Sequence, residues 1–453
     1  MTTTSSSTRR FVLSAFAAVL IQGLAAEAPH VFAIRGAQIV PVAGPVVESG
    51  TVVIRGGVID AVGVGVAVPP DATVIDGQGL TVYPGLIDMG TQAGIDVPAI
   101  AAPRDPRTRI DVERWKRQVL LRPDIEAARF IKADPADLKK LASFGITAVL
   151  AVPGGGAIAG MSAMLHAAIP DEEPQIGNIA DARAGRYVVK TPALLHVRFP
   201  DSPPGEAYPD SLMGVIAFVR QAFLDAGYAQ AERARGGKTG QPAPPPAYDP
   251  ALDALVPALA GRIPVAFEAQ EAHEIRRAIR FAREFKLDTV IVNGLEADQV
   301  IDDLKLQKVR VLLSVNYPAR PKTLAPDADE PLRTLRQRAG APSVAAALDK
   351  AGVPFAFASD GLQDPGDFLK NVGKAVKAGL PRDAALRALT LGAATIAGAA
   401  DRLGSIERGK IASLVITQGD LFDDKVVIKH VFVGGRQVVL EPTPPGVKGR
   451  AGR

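Results

Sequence analysis

The chain has 453 residues, with 52 Lys and Arg, 48 Asp and Glu, and no Cys. A hydrophobic share of 47%, beside 44 Gly and 37 Pro, excludes a disordered chain, a collagen and a disulfide scaffold. Because a formal net charge of +4 is small for this length, we expect no nucleic-acid partner. The absence of Cys also excludes thiolate metal sites and cysteine nucleophiles.

Residues 1–28 have the pattern of a secretory signal, in which Arg9-Arg10 precede the apolar run Phe11 to Ile21 and small residues follow. The apolar run is too short to span a membrane stably, and we expect no other spanning stretch. Thr8 to Leu13 resembles a twin-arginine signal. These features predict a bacterial protein exported to the periplasm or the extracellular space; an uncleaved anchor is the alternative.

Short β-branched runs between Gly turns fill residues 29–83 and return in residues 401–441. Gly56-Gly57 and Gly434-Gly435 are typical of hairpin turns. Two such segments around one long insert predict a composite β-sandwich built from both ends of the chain. Residues 442–453 are basic and rich in Pro and Gly, which predicts a disordered tail.

Between these segments, residues 84–400 alternate strand-like apolar runs with helical patterns. Asp134-Pro135 and Asp364-Pro365 are typical helix starts, and Gly379 ends the second helix. Eight repeats predict an α/β fold with a parallel (β/α)8 barrel. The eight candidate strands lie near Leu86-Ile87 and at Thr147–Val152, Ala163–His166, Val188–Val197, Ile263–Phe267, Thr289–Val292, Arg310–Ser314 and Pro354–Ala358.

The segment Val82–Asp88, V-Y-P-G-L-I-D, resembles the start of the first barrel strand in the amidohydrolase superfamily, the imidazolonepropionase- and dihydroorotase-like hydrolases. Gly404–Lys410, before the strand Leu414–Ile416, resembles the family's return from barrel to sandwich, and Ser359-Asp360 resembles the end of strand eight. The resemblance implies a barrel inserted into a composite sandwich. It also implies hydrolysis of carbon–nitrogen bonds other than peptide bonds in a small-molecule substrate.

The resemblance further implies a metal site, whose ligands in the family are a His-x-His pair on strand one, a His on strand five, a His on strand six and an Asp on strand eight. The corresponding residues here are Gly90 and Gln92, Glu268, Asn293, and Asp360. Only the Asp is kept. Since zinc sites usually use imidazole nitrogen, this mainly oxygen set does not favour zinc.

Three interpretations of Gln92, Glu268, Asn293 and Asp360 stay open. Asp360 and Glu268 could bind one divalent cation, Mg or Ca rather than Zn. Alternatively, without a cofactor, the same carboxylates act as general base and acid while Gln92 and Asn293 orient water or substrate. The third interpretation is a polar plug in a catalytically inactive pseudoenzyme that binds a ligand or partner protein. The sequence indicates neither the substrate nor the oligomeric state.

Two further features have both a functional and a structural interpretation. Gly154-Gly155-Gly156 is either an anion-binding loop or a tight turn after the second strand. Lys190 and His196 lie in the fourth candidate strand, where the family sometimes uses a modified Lys, but the sequence does not fix their register.

Overall fold

The structure is a computed structural model that describes residues 30–440, except 103–107, 133–134, 169–185, 202, 204–206, 237–247, 326 and 424. The fold is mixed α/β and contains three β-sheets. The signal segment, the tail and most of the Pro-rich stretch 236–246 lie outside the described residues, as does Asp134.

The strands are numbered along the chain. They are β1 (Phe32–Ile39), β2 (Val47–Arg55), β3 (Val58–Gly63), β4 (Thr73–Asp76), β5 (Thr81–Pro84), β6 (Leu86–Thr91), β7 (Ile146–Ala151), β8 (Ile158–Met161), β9 (Ala163–His166), β10 (Val188–Lys190), β11 (Leu195–Arg198), β12 (Val265–Ala269), β13 (Thr289–Asn293), β14 (Arg310–Ser314), β15 (Phe355–Ala358), β16 (Leu414–Gln418), β17 (Val427–Val433) and β18 (Arg436–Val438).

The helices are numbered in the same way. They are α1 (Arg109–Leu120), α2 (Ala136–Ser143), α3 (Leu212–Gly236), α4 (Pro250–Leu259), α5 (Ala272–Glu284), α6 (Ile301–Leu306), α7 (Leu332–Gly340), α8 (Val344–Ala351), α9 (Asp367–Lys377), α10 (Arg382–Leu389) and α11 (Leu391–Ile396). Short 3₁₀ turns occupy Ala127–Phe130, Ala297–Val300 and Ala341–Ser343.

The first sheet joins both ends of the described chain, in the order β18-β17-β16-β5-β1-β2-β3 with β4 beside β1. The join is the antiparallel pairing of β16 with β5, in which Leu414 lies opposite Pro84 and Thr417 opposite Thr81. Ile34, Ile54 and Phe432 are fully buried in the core of this sheet. The two terminal segments therefore contribute strands to one sheet.

The other two sheets have the orders β10-β9-β7-β6 and β15-β14-β13-β12-β11-β8. They are joined at Ser162, whose backbone N–H donates to the carbonyl of Leu194 (2.9 Å). At the opposite edges, the backbone N–H of Asp360 after β15 donates to the carbonyl of Gly90 in β6 (3.0 Å). Strands β11 to β15 are parallel neighbours, so their carboxyl ends lie at one edge.

Alternate residues of these strands face a shared apolar interior, as the two-residue period of a strand requires. The intervening residues, such as Phe267 and Phe357, pack in the larger core with the helices. The interior residues include Ile87, Met89, Ala148, Leu150, Met164, Leu194, Ala266, Val290, Leu312, Ala356 and Ala358.

The expected parallel order is wrong around β8, β9 and β10. Strand β9 pairs antiparallel with both β7 and β10, and β8 pairs antiparallel with β11. Strands β8 and β9 are separated by Ser162 alone, and the loop after β7 is also short. A connection of this length cannot hold the crossover that parallel neighbours need.

Two predicted elements have different bounds in the structure. The strand expected at 188–197 is split into β10 and β11, because Pro192 cannot donate a ladder hydrogen bond. The helix expected to start at Asp364-Pro365 begins at Asp367, and the Asp364 carboxylate instead accepts the N–H of Gly366 (3.0 Å). Phe368 and Val372 of this helix are buried.

One described helix, Leu212–Arg235, is long and apolar enough to cross a membrane by length and composition, with a mean hydropathy of 1.2. A third of its most apolar window is buried. Its residues Val215, Val219 and Phe223 lie in the main hydrophobic core, and Phe223 packs edge-on against Phe281 of α5 at 5.7 Å. This packing is typical of a core helix.

Candidate functional site

Asp360 follows β15 at the edge where the parallel strands end. Ala356 and Ala358 face the interior, so Asp360 continues that face. Its carboxylate is hydrogen-bonded to the Ser314 side chain at the end of β14, and its carbonyl accepts the Nδ2–H of Asn316 (3.1 Å). With φ of 46°, Asp360 has the left-handed backbone that Asp adopts more readily than most residues. Three neighbouring segments therefore fix its position.

Glu268 lies on the interior face of β12, two residues after Ala266. Its cross-strand partner on β11 is Arg198, and the guanidinium Nε–H of Arg198 donates to the carbonyl of Gly156 (2.6 Å). The sequence analysis did not select Arg198. The signal was present, since the residue lies two positions after His196 in an apolar strand, but the broken strand hid its register.

The pKa values of both carboxyl groups are raised. Burial is the main cause that raises the pKa of Glu268; Arg198 opposes the shift, and the charges of Asp360 and Glu274 add to it. Burial also raises the pKa of Asp360, against the hydrogen bond with Ser314. Both residues remain exposed to solvent at the carboxyl ends of their strands. The convergence of Glu268 and Asp360 stays a prediction.

Asn293 does not lie on the strand face that carries the two carboxylates. Along β13, Val290 and Val292 face the interior, whereas Ile291 and Asn293 belong to the other face. The Asn293 side chain is buried, and its Oδ1 has no hydrogen-bond partner among the described residues. A φ of 78° ends the strand here. Asn293 thus combines a left-handed backbone with an unpaired, buried side-chain oxygen. Strained positions of this kind are found at functional sites.

Gln92 lies in a cleft beside the strand ends, after the last residue of β6. Its side-chain amide packs on Gly154: a Cβ at that position would lie 2.9 Å from the Gln92 Nε2. The glycine is therefore needed for the close approach of the amide. Gly155 and Gly156 follow with φ of 85° and 72° and line the same cleft.

Asp88 is a further site residue that the sequence analysis quoted only as part of a motif. It is fully buried, and one carboxylate oxygen accepts the backbone N–H groups of Ser359 (2.8 Å) and Gly90 (3.1 Å). The other oxygen has no partner among the described residues. Burial raises the pKa of Asp88 to about 6, with a smaller contribution from the Asp360 charge. An acidic residue within the apolar run L-I-D-M was the available signal.

Two histidines, His196 and His166, are buried within the strands. His196 shares the interior face of β11 with Arg198, and burial lowers its pKa to about 3. Burial also lowers the pKa of His166 to about 4, and the nearby charge of Arg402 adds to that shift. Both imidazoles are therefore neutral at physiological pH. Lys190 instead donates to the carbonyl of Gly398 (2.6 Å).

Comparison with known proteins agrees with this architecture. The sequence profile of the Amidohydrolase family matches residues 224–438. Amidohydrolase tasK of Hapsidospora irregularis is 24% identical over 415 residues, which are 84% of this chain. That alignment spans 40% of the length of the curated relative.

Solved structures of the same kind resemble the fold. An amidohydrolase from Thermotoga maritima MSB8 superimposes with a TM-score of 0.72 at 23% identity, covering 90% of this chain and 99% of that one. A putative prolidase from Bifidobacterium longum gives a TM-score of 0.54 at 17% identity, covering 92% and 96%. Over the profile-matched residues the chain is therefore similar to amidohydrolases, and the solved structures show that it shares their fold.

The donor set does not fit the imidazole-rich metal site that the family resemblance implies. Within the described ranges, no group of three or more His, Cys, Asp or Glu side chains is placed to hold a metal ion. Glu268 already has the positive charge of Arg198 beside it, and the buried histidines lie deeper in the strands. The arrangement offers two carboxylates, a guanidinium and a hydroxyl, which suit proton transfer and charge stabilisation.

Proposed function

We propose that the chain is a hydrolase of carbon–nitrogen bonds, other than peptide bonds, in small molecules. The observation that carries the proposal is the placement of Asp360 and Glu268 on one face at the carboxyl ends of β15 and β12. Proximity and burial raise the pKa of Glu268, and burial raises that of Asp360, which is how carboxyl groups are tuned for proton transfer near neutral pH.

In this proposal Asp360 is the proton carrier. It accepts a proton from the water that attacks the carbonyl carbon, and it returns that proton to the nitrogen as the carbon–nitrogen bond breaks. Arg198 stabilises the negative charge that develops on the carbonyl oxygen. Glu268 is the second carboxylate, held beside Arg198, and Gln92 orients the substrate from the adjoining cleft.

A divalent cation at Asp360 and Glu268 is the alternative arrangement. Mg or Ca would find carboxylate and hydroxyl oxygen there, as hard cations prefer. The guanidinium of Arg198 disfavours this arrangement, because it would repel a second positive charge beside Glu268. We therefore favour chemistry carried by the side chains themselves.

Turnover by Asp360→Asn tests the proposal. On a panel of N-acylated amino acids, cyclic imides and amidines, we expect the wild type to hydrolyse at least one compound. Asp360→Asn should abolish that turnover and leave the melting temperature nearly unchanged, while Glu268→Gln should lower the rate by about a hundredfold or more. Asp302→Asn, an exposed residue of α6, is the matched control and should keep the full rate. An active Asp360→Asn variant would contradict the proposal.

The second candidate function is ligand or partner binding by a catalytically inactive family member. The observation that favours it is the lack of a three-ligand metal group among the described residues. This function predicts no hydrolysis of any panel compound, so that Glu268→Gln and Asn293→Asp change no rate, while a ligand or partner still raises the melting temperature. A hydrolytic rate that either substitution abolishes would exclude it.

We also propose the finer architecture that the sequence predicts. Residues 84–400 would form a (β/α)8-type barrel, supported by the hydrogen bonds that join the two smaller sheets at Ser162 and at Gly90. Residues 29–83 and 401–441 would form the composite sandwich, supported by the β5–β16 pairing. The signal at 1–28 and the tail at 442–453 complete the proposed division, with export to the periplasm or beyond. Cell fractionation of the full chain tests the export.

A further inference from the structure

The cleft that contains Gln92 lies beside the strand ends. It has a volume of about 440 Å³. We name it the Arg122 cleft. Its polar lining consists of Gln92, Asp96, Arg122 and Gly154–Gly156, and Ile100 and Val119 belong to its apolar part.

Arg122 has no acidic partner in the described ranges, within 4 Å of its guanidinium. Its Nη2–H donates to the carbonyl of Pro98 (3.2 Å), and the bare backbone of Gly155 lies beside its Nη1. Two other arginines of this region, Arg117 and Arg129, are paired with Asp249 and Glu126. A half-buried guanidinium without a carboxylate partner keeps hydrogen-bond donors available to an anion.

The Arg122 cleft adjoins the carboxylate pair on two sides. At Gly156, the carbonyl oxygen accepts the Nε–H of Arg198, the cross-strand partner of Glu268. Gln92 follows Gly90 by two residues. The carbonyl of Gly90 accepts the backbone N–H of Asp360. The lining of the cleft is therefore connected through hydrogen bonds to the segments that carry the proposed chemistry.

We propose that the Arg122 cleft binds the carboxylate of a small organic acid that has an apolar group, and that this acid is the substrate class. The inference rests on the proposed function. The planar guanidinium matches a carboxylate with two parallel hydrogen bonds, and the Gln92 amide adds a donor. Asp96 lines the same cleft, so a singly charged anion is favoured over a phosphate dianion. Ile100 and Val119 accommodate the apolar group.

Calorimetric titration with N-acetyl-L-leucine and N-acetyl-L-leucinamide tests the inference, since these probes differ only in the carboxylate. We expect the wild type to bind the acid at least about tenfold more tightly than the amide. Arg122→Gln should remove this preference, and Ile100→Glu, an exposed substitution that adds negative charge to the cleft, should weaken binding of the acid. Arg129→Gln is the matched control and should bind as the wild type does. Equal binding of both probes, no binding of either, or a preference that survives Arg122→Gln would overturn the inference.

The titration separates this inference from the proposed function. Preferential binding of the acid by a protein that hydrolyses nothing would keep the cleft assignment and remove the hydrolase. Hydrolysis of neutral amides with no preference for the acid would keep the hydrolase and remove the assignment. Turnover and binding are measured independently, so neither result depends on the other.

Discussion

Asp88 connects two strands that are far apart in the sequence. Its carboxylate in β6 accepts the backbone N–H of Ser359 after β15, so it holds the segment that positions Asp360. The carboxyl group is fully buried, and its pKa of about 6 lies above the ordinary value of 3.8. Burial therefore favours the protonated form of Asp88 below about pH 6, where an exposed Asp would already be ionised.

We predict that Asp88 makes the stability depend on pH. Because the folded pKa is raised, the stabilisation by the protonated group is fully present below pH 3.8 and is lost as the pH rises through 6. The two pKa values correspond to a loss of about 3 kcal/mol. Asp88→Asn keeps an acceptor oxygen without a charge, so urea unfolding between pH 4 and pH 7 should show a smaller decrease in stability than in the wild type.

Asp88→Ala is the comparison for this prediction. It leaves the backbone N–H groups of Ser359 and Gly90 without their acceptor, at a cost of about 1–3 kcal/mol for each group. We expect Asp88→Ala to be less stable than Asp88→Asn throughout the range. An Asp88→Asn variant with the pH dependence of the wild type would show that Asp88 is ionised in the fold.

The candidate site could be predicted only in part at the residue scale. Glu268 and Asp360 were selected through the family resemblance, which places them at the carboxyl ends of recognisable parallel strands. Asn293 was expected beside them, but Val292 occupies the interior position of its strand. Arg198 was missed because its position depends on the break at Pro192, which no periodicity reveals.

At the scale of elements, helix α5 supports the strand that carries Glu268. The helix begins with a capping box between Glu271 and Glu274, and its apolar face is buried. Phe281 on that face packs against the ring of Phe267 in β12, with centroids 5.9 Å apart. The rings of Phe199, Phe223 and Phe285 surround the same side chain.

We predict that Phe281→Ala destabilises the protein by about 3–5 kcal/mol, because it leaves a cavity among four aromatic rings. Phe281→Leu should cost less, since it keeps most of the apolar volume. The free energies of unfolding follow from urea denaturation. Leu306→Ala in α6 is the control, because its side chain is 76% exposed and should change the stability little. A loss for Phe281→Ala no larger than that of the control would contradict the packing role.

Most elements of the central region could be predicted from apolar runs, and β9 and β14 have the expected bounds. The directions of the strands were harder to predict from the sequence. Strand β8 was missed because Gly160, with φ of 124°, interrupts its pattern, and its antiparallel pairing depends on a partner distant in the sequence. Local patterns report burial and period, whereas pairing is decided by tertiary contacts.

At the scale of the whole molecule, the fold resembles that of a solved amidohydrolase, while the described residues hold no group of three or more metal-ligating His, Cys, Asp or Glu side chains. The fold follows from long apolar patterns that tolerate substitution. The chemistry depends on a few side chains at strand ends, which change without affecting those patterns. Two carboxylates and a guanidinium lie near the carboxyl ends of the parallel strands, and they form the candidate site.

The zinc content of the purified protein tests this central claim most directly. The chain would be prepared without chelator, incubated with zinc, dialysed, and measured by mass spectrometry beside Asp360→Asn. The carboxylate and guanidinium site predicts zinc well below one ion per chain in both proteins, because fewer than three suitable ligands meet there. Stoichiometric zinc in the wild type that is lost in Asp360→Asn would contradict the account.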